Sequence, residues 1–210
     1  MTVRPPRLAV AAPTNKPGND RKDNYPDSID LRTRTLVRNL LPPGQWDLGG
    51  GGQTRPHVTN AHGLACPDIS LSHSGDWAAA ALAENGRIGI DLEVPHRHRN
   101  YAAMAEAYFS PEEIRAVAAD GEDAFLAFWT LREAVAKLGQ DGLAAALALD
   151  GAAIIAGRNG LCGNGVWVAT HRKLGNAHIA VAWAPLPFTT KAGFMLTTAI
   201  GAISGVCTYT

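Results

Sequence analysis

The chain has 210 residues, 46% of them hydrophobic, with 19 Lys and Arg against 19 Asp and Glu. That apolar content excludes wholesale disorder, and the zero balance excludes a general nucleic-acid binder, which needs a basic excess to displace counterions. The length suits one large domain or two small ones. Residues 1–28 are rich in Pro, Asn, Asp and basic side chains and read as an extended or mobile arm. The apolar run at 8–12 ends at Pro13, too short and broken for a signal peptide. Residues 29–41 place apolar side chains at 29, 36, 37, 40 and 41 before Pro42-Pro43 and predict a helix. The glycine run at 48–53 (LGGGGQ) reads as a loop, and no Gly-Lys-Ser/Thr follows to make it a phosphate-binding P-loop.

Residues 69–83 read as strand, turn and strand, with Ser72-His73-Ser74-Gly75-Asp76 supplying the turn chemistry. After the Asn85-Gly86 turn, residues 87–94 (RIGIDLEV) alternate strictly. Ile88, Ile90 and Leu92 lie on one face, Gly89, Asp91 and Glu93 on the other. Ser110-Pro111-Glu112-Glu113 is a helix start with a capping box. A second helix runs from 123 to 138, with Gly139 as its stop, and 166–170 and 178–183 read as antiparallel strands. Strands, then helices, then strands again predict an α+β fold. Cys66, Cys162 and Cys207 are odd in number and far apart, so neither a disulfide framework nor a zinc finger is expected. The apolar tail at 194–206 is interrupted and falls short of the ~20 residues a membrane-spanning helix needs. The expectation is a soluble, reduced, cytoplasmic protein.

Four local features carry chemistry. Asp91 and Glu93 share a strand face about 7 Å apart, a spacing able to hold a hard cation such as Mg²⁺ and equally what a half-exposed strand displays. Trp129, Glu133 and Lys137 recur at steps of four along one helix face; Glu133 before Lys137 is also the favourable order for an ordinary surface ion pair. Ser72 and His73 offer hydroxyl, imidazole and free backbone N–H groups to an anion, or form a plain turn. A serine hydrolase is disfavoured, because neighbours on a strand point apart and no G-x-S-x-G elbow is present. Arg55-Pro56, after the glycines, provides a guanidinium fork for phosphate or an ordinary surface loop.

In this order, Arg55-Pro56, Ser72-His73-Ser74, Gly89-Ile90-Asp91-Leu92-Glu93 and Trp129 to Lys137 resemble the motifs of the 4′-phosphopantetheinyl transferases. The likeness is to the longer, single-chain, surfactin-synthetase-activating kind, and it spans roughly residues 53–143. Phe109-Ser110-Pro111-Glu112-Glu113 is similar to the family's link between the last two motifs. The resemblance implies two similar α+β halves, a pseudo-dimer with the active site between them. The halves would be residues 29–100 and 101–187, flanked by the 1–28 arm and a 188–210 tail. It implies transfer of phosphopantetheine from coenzyme A to a serine of an apo acyl or peptidyl carrier protein, releasing 3′,5′-ADP. Asp91, Glu93 and Glu133 would hold Mg²⁺, or Mn²⁺. Glu133 would be the general base and Lys137 would neutralise phosphate charge, with Asp91 completing the catalytic set. Ser72 and His73 would meet the 3′-phosphate, and Arg55 and Pro56 would border the adenine. The expected partners are coenzyme A and carrier proteins, with no nucleic acid or membrane and the chain a monomer. The alternative is a catalytically weak module of the same fold that binds coenzyme A or a carrier. Arg132 stands where the family usually has lysine, and the glycine expected before Arg55 is absent.

Overall fold

Alternating and helical periodicities fold into two main sheets, each with a helix against it. The structure, a computed structural model, describes residues 4–13, 25–51, 54–60, 66–97, 99–139, 146–186 and 195–196. Strands β1 (Arg7–Ala11), β5 (Trp77–Ala83) and β4 (Asp68–Ser74) form an antiparallel sheet in the order β1-β5-β4. Helix α1 (Tyr25–Leu40) packs Leu36, Val37 and Leu40 against Ile69, Ala78, Ala80 and Leu82 of that sheet. Part of the predicted arm is therefore an ordered edge strand: Val10 and Ala11 are buried, and backbone pairing with β5 holds the segment. The helix also starts at Tyr25 rather than at 29. The 188–210 tail lies outside the described residues except for Met195 and Leu196, which pack on the core.

The glycine run is not simply a loop. Residues Asp47–Gly51 form β2, paired antiparallel with β3 (Thr54–Thr59) through a register shift between Gly49 and Gly51. Glycine suits this ribbon because the His57 side chain and the Arg55 carbonyl crowd it. A Cβ on Gly49 would sit 2.7 Å from the His57 ring, and Gly50 has φ +73°. Arg34 reaches from α1 and donates to the carbonyls of Leu48 (3.2 Å) and Gly50 (3.1 Å).

The second sheet has the order β6-β9-β8-β7, all antiparallel: β6 (Arg87–Glu93), β9 (Ala177–Ala184), β8 (Val168–Leu174) and the short β7 (Cys162–Gly163). Helices α2 (Tyr101–Tyr108), α3 (Pro111–Asp120), α4 (Glu122–Ala136) and α5 (Gly151–Asn159) lie between β6 and β7 in the chain. Ser110 caps α3 as its sequence dictates: its hydroxyl accepts from the Glu113 N–H, and the Glu113 carboxylate accepts from the Ser110 N–H at 2.9 Å. Phe125, Phe128 and Leu131 of α4 pack with Ala169, Ala180 and Ala182 of β8 and β9. Those alanines let the helix settle close to the sheet. Ile88, Ile90 and Leu92 point the other way, into a core shared with Trp77, Val181 and Trp183.

The two sheets are joined by side chains. Backbone N–H groups of Ile88, Ile90 and Leu92 in β6, and of Val94 just beyond it, donate in turn to Asp68, Ser70, Ser72 and Ser74 of β4, at 2.8–3.2 Å. The constant offset of twenty residues means the two strands run in the same direction. This row satisfies the N–H groups on the edge of β6 that β9 does not use. It also means that β6, expected with the first half, hydrogen-bonds its backbone into the second sheet.

Candidate active site

The geometry begins at Gly89. A Cβ there would lie 2.0 Å from the carbonyl oxygen of Ala134 and 3.1 Å from Cβ of Lys137. Only glycine lets α4 approach β6 this closely, and that approach delivers the end of α4 to the carboxylate face of β6. Lys137, the C-cap of α4, then places its ammonium 2.8 Å from Asp91 Oδ1, 2.9 Å from the Ile90 carbonyl and 3.4 Å from the Leu71 carbonyl.

Asp91 is buried, and its Oδ1 also accepts from the Ser72 hydroxyl at 2.9 Å. Its Oδ2 is buried with no hydrogen-bond partner among the described residues. The Ser74 hydroxyl donates to Glu93 at 2.9 Å, and Arg99 lies 3.9 Å from the same carboxylate. Burial, then the charge of Asp91, pushes the Glu93 carboxyl above its ordinary range. Burial, then the charge of Asp91, does the same to Glu133; Glu93 adds to the effect and Lys137 opposes it. Three acids therefore crowd one another around a single ammonium.

The row predicted along the helix is partly core. Trp129 is half-buried and stacks on Phe125 with centroids 5.8 Å apart, while Glu133 and Lys137 lie toward β6. Arg132 is buried and grips the buried Glu113 through two bonds of 2.5 and 2.7 Å, under the ring of Phe109 at 4.7 Å. The planar fork explains arginine here: it ties α4 to the capping box of α3. This pair was not legible from sequence, although Glu113 had already stood out as a cap.

The residues expected to meet coenzyme A are not all in one place. Ser72 lies in β4 rather than a turn, and its hydroxyl bridges the Leu92 N–H and Asp91. The turn itself is Gly75-Asp76, with Gly75 at φ +55°. His73 is exposed, while Ser72 and Ser74 on either side of it are buried. Arg55 is half-buried in β3. Its guanidinium donates to Asp68 (2.6 Å), to the Ile88 carbonyl (2.8 Å) and to the Lys137 carbonyl at the end of α4. Pro56 is half-buried beside it. The structure thus brings Ser72, Asp91, Glu93, Glu133 and Lys137 together, with Arg55 behind them, and leaves His73 on the surface. The alternation Asp68-x-Ser70-x-Ser72-x-Ser74 was the available signal for the row that supports the acids.

Among the described residues no group of three or more His, Cys, Asp and Glu forms a ready-made metal site. The donor chemistry nevertheless fits a hard cation: the acids are oxygen donors, one buried oxygen is unpaired, and burial, then mutual repulsion, raises two of the carboxyls. No helix among the described residues is long and apolar enough to cross a membrane.

A fold that sets acids and a lysine between an α4-type helix and a strand edge suits phosphate chemistry, and similarity to known proteins narrows the class. Residues 87–178, from β6 into β9, match the family model described as the 4′-phosphopantetheinyl transferase superfamily. The chain is 38% identical over 111 residues to the 4′-phosphopantetheinyl transferase AcpT of Salmonella typhi, covering 51% of this chain and 56% of that protein. It is 31% identical over 137 residues to AcpT of Escherichia coli K12, covering 63% and 64%. It is 32% identical over 121 residues to the 4′-phosphopantetheinyl transferase HetI of a Nostoc species, covering 53% and 51%. The chain spans about half the length of the curated relatives it matches.

Proposed function

We propose that the protein transfers 4′-phosphopantetheine from coenzyme A to a serine of an apo carrier protein, as a single-chain transferase of the surfactin-synthetase-activating kind. The observation that carries this reading is the meeting of Lys137 with Asp91, beside Glu93 and Glu133, at the end of α4. In the reaction the carrier serine gives its proton to the Glu133 carboxylate, directly or through a water. The serine oxygen bonds to the phosphorus that bears pantetheine. The bond from that phosphorus to the bridging oxygen breaks, and 3′,5′-ADP leaves with the electron pair. The raised pKa of Glu133 brings it closer to neutrality, which suits a general base. Lys137 neutralises charge on the leaving group. Asp91, Glu93 and Glu133 would hold Mg²⁺ or Mn²⁺, which when bound supplies charge neutralisation at the pyrophosphate. Ser72 and Arg55 would act from behind, through Asp91 and Lys137, while His73 and Pro56 would meet the 3′-phosphate and the adenine of coenzyme A. The two-halved organisation, with a boundary near residue 100, belongs to the same proposal.

One observation favours the second reading, a weakly active binding module: all three guanidinium nitrogens of Arg55, a residue expected to border the adenine, donate to internal acceptors. A single assay separates the two. The protein is incubated with coenzyme A, Mg²⁺ and apo carrier proteins, and each carrier is weighed. Mass gain by phosphopantetheine supports the transferase, and coenzyme A binding without mass gain on several carriers supports the module. Glu133→Gln is expected to abolish transfer while leaving the thermal unfolding curve cooperative. Near-wild-type transfer in that variant would remove Glu133 as the base.

A further inference from the structure

The joint between β4 and β6 repeats one kind of bond, and its rungs are not alike. Ile90 donates its N–H to the Ser70 hydroxyl, Leu92 to Ser72 and Val94 to Ser74. At two of these rungs the hydroxyl makes a second bond. Ser72 donates to Asp91 Oδ1 and Ser74 to Glu93 Oε2, both at 2.9 Å. Each of these acids is the residue directly before the N–H that its serine accepts. At the Ser70 rung the corresponding residue is Gly89, which has no side chain to orient.

A hydroxyl oxygen that accepts an N–H has its own proton left to give, and the carboxylate takes it. Each serine thereby fixes one oxygen of its acid relative to the backbone beside it. The other oxygen is left over. Asp91 Oδ2 is buried without a partner among the described residues, and Glu93 Oε1 has Arg99 at 3.9 Å, beyond hydrogen-bond distance. Asp91 has a second anchor in the Lys137 ammonium at 2.8 Å. Glu93 has no cation as close among the described residues, and its longer side chain has one more torsion to fix. Ser74 is buried, so its bond to Glu93 is shielded from competing water. A hydroxyl also orients a carboxylate without neutralising it, which leaves the acid its full attraction for a cation.

We propose that Ser74 is a positioning residue: its hydroxyl, held by the Val94 N–H, orients Glu93 in advance for a hard divalent cation, as Ser72 and Lys137 do for Asp91. The proposal rests on the reading of the acid cluster as the cation site of a transferase. A partner standing behind a metal ligand sets affinity because the ligand is oriented before the ion arrives.

The test titrates the full chain with Mn²⁺ in the presence of coenzyme A. Free Mn²⁺ is counted from its electron paramagnetic resonance signal, and coenzyme A alone gives the baseline. Ser74→Ala is expected to raise the binding midpoint about tenfold, a loss of roughly 1.4 kcal/mol. Ser70→Ala removes the same kind of N–H acceptor but orients no acid, and is expected to stay within about twofold of wild type. In a Glu93→Ala background, Ser74→Ala should make no further difference, because the two residues act as one unit. Ser74→Thr keeps the hydroxyl and is expected to keep the wild-type midpoint. An unchanged midpoint in Ser74→Ala overturns the proposal, and so does a threonine variant as weak as the alanine one. An equal loss in Ser70→Ala, or in the Glu93→Ala background, would make the hydroxyl a support of the strand joint alone and overturns it as well. A wild-type chain that holds no Mn²⁺ beyond the baseline overturns the cation-site reading itself, and the proposal with it.

Discussion

Gly89→Ala tests whether close contact between α4 and β6 builds the site. The new methyl would sit 2.0 Å from the Ala134 carbonyl oxygen and 3.0 Å from its carbon. Ordinary contact begins near 3.4 Å, so helix and strand must separate by about 1.4 Å. The obstacle is backbone on both sides, which no rotamer change relieves. Overpacking of this kind costs about 1–3 kcal/mol, equivalent to a fall in Tm of roughly 2–12 °C for a chain of this size. The effect on chemistry should be larger. Glu133 and Lys137 flank Ala134 and would move away from Asp91, and a misplacement of about 1 Å in a catalytic group can cost 100-fold in rate. The assay is the rate of mass gain on an apo carrier, measured well below the variant's Tm. Transfer within about twofold of wild type, with an unchanged Tm, would show that the contact does not position the site and would refute the reasoning.

Other consequences follow from the same contacts. Because Glu93 and Glu133 titrate above their ordinary range, the folded chain holds protons that the unfolded chain has already lost. The acids therefore destabilise the metal-free protein increasingly as pH rises from the ordinary value of 4.5 through the raised one. Glu93→Gln is expected to raise Tm at pH 7, with the gain vanishing at the acid end of that window; added Mg²⁺ should raise the wild-type Tm more than the variant's. A Tm difference that grows toward low pH would contradict this. Ser72→Ala should cost about 1–3 kcal/mol in urea unfolding, since it strands the buried Leu92 N–H and removes a donor to Asp91. A cost below about 0.5 kcal/mol, the range of surface substitutions, would show that the β4–β6 row is not a structural joint. Glu113→Gln removes the charge that pairs with buried Arg132 while keeping an oxygen for the α3 cap, and should destabilise by about 3–5 kcal/mol. Denaturant melts would read this directly, and a neutral result would mean that the pair carries no stability.

Local physics made much of this protein readable from its residues alone. The strict alternation around Asp91 placed β6, the Ser-Pro-Glu-Glu run placed α3, and the step of four put Glu133 and Lys137 on one helical face. These features depend on neighbours within a few residues, so periodicity and capping chemistry suffice. The glycine run misled because its strand is held by pairing across the β2–β3 hairpin and by Arg34 of α1 rather than by its own side chains. The early arm misled for a similar reason: β1 owes its order to β5, some seventy residues on. Only the tertiary structure decided that Ser72 supports Asp91, that Arg55 clasps the end of α4, and that Arg132 is spent on Glu113. It alone gathered Asp123, His178 and His171 into one hydrogen-bonded row. A sequence records which groups can donate, accept or carry charge. Which of them are already satisfied depends on long-range packing, and that determines whether a motif residue is free to meet a ligand or is holding the fold together.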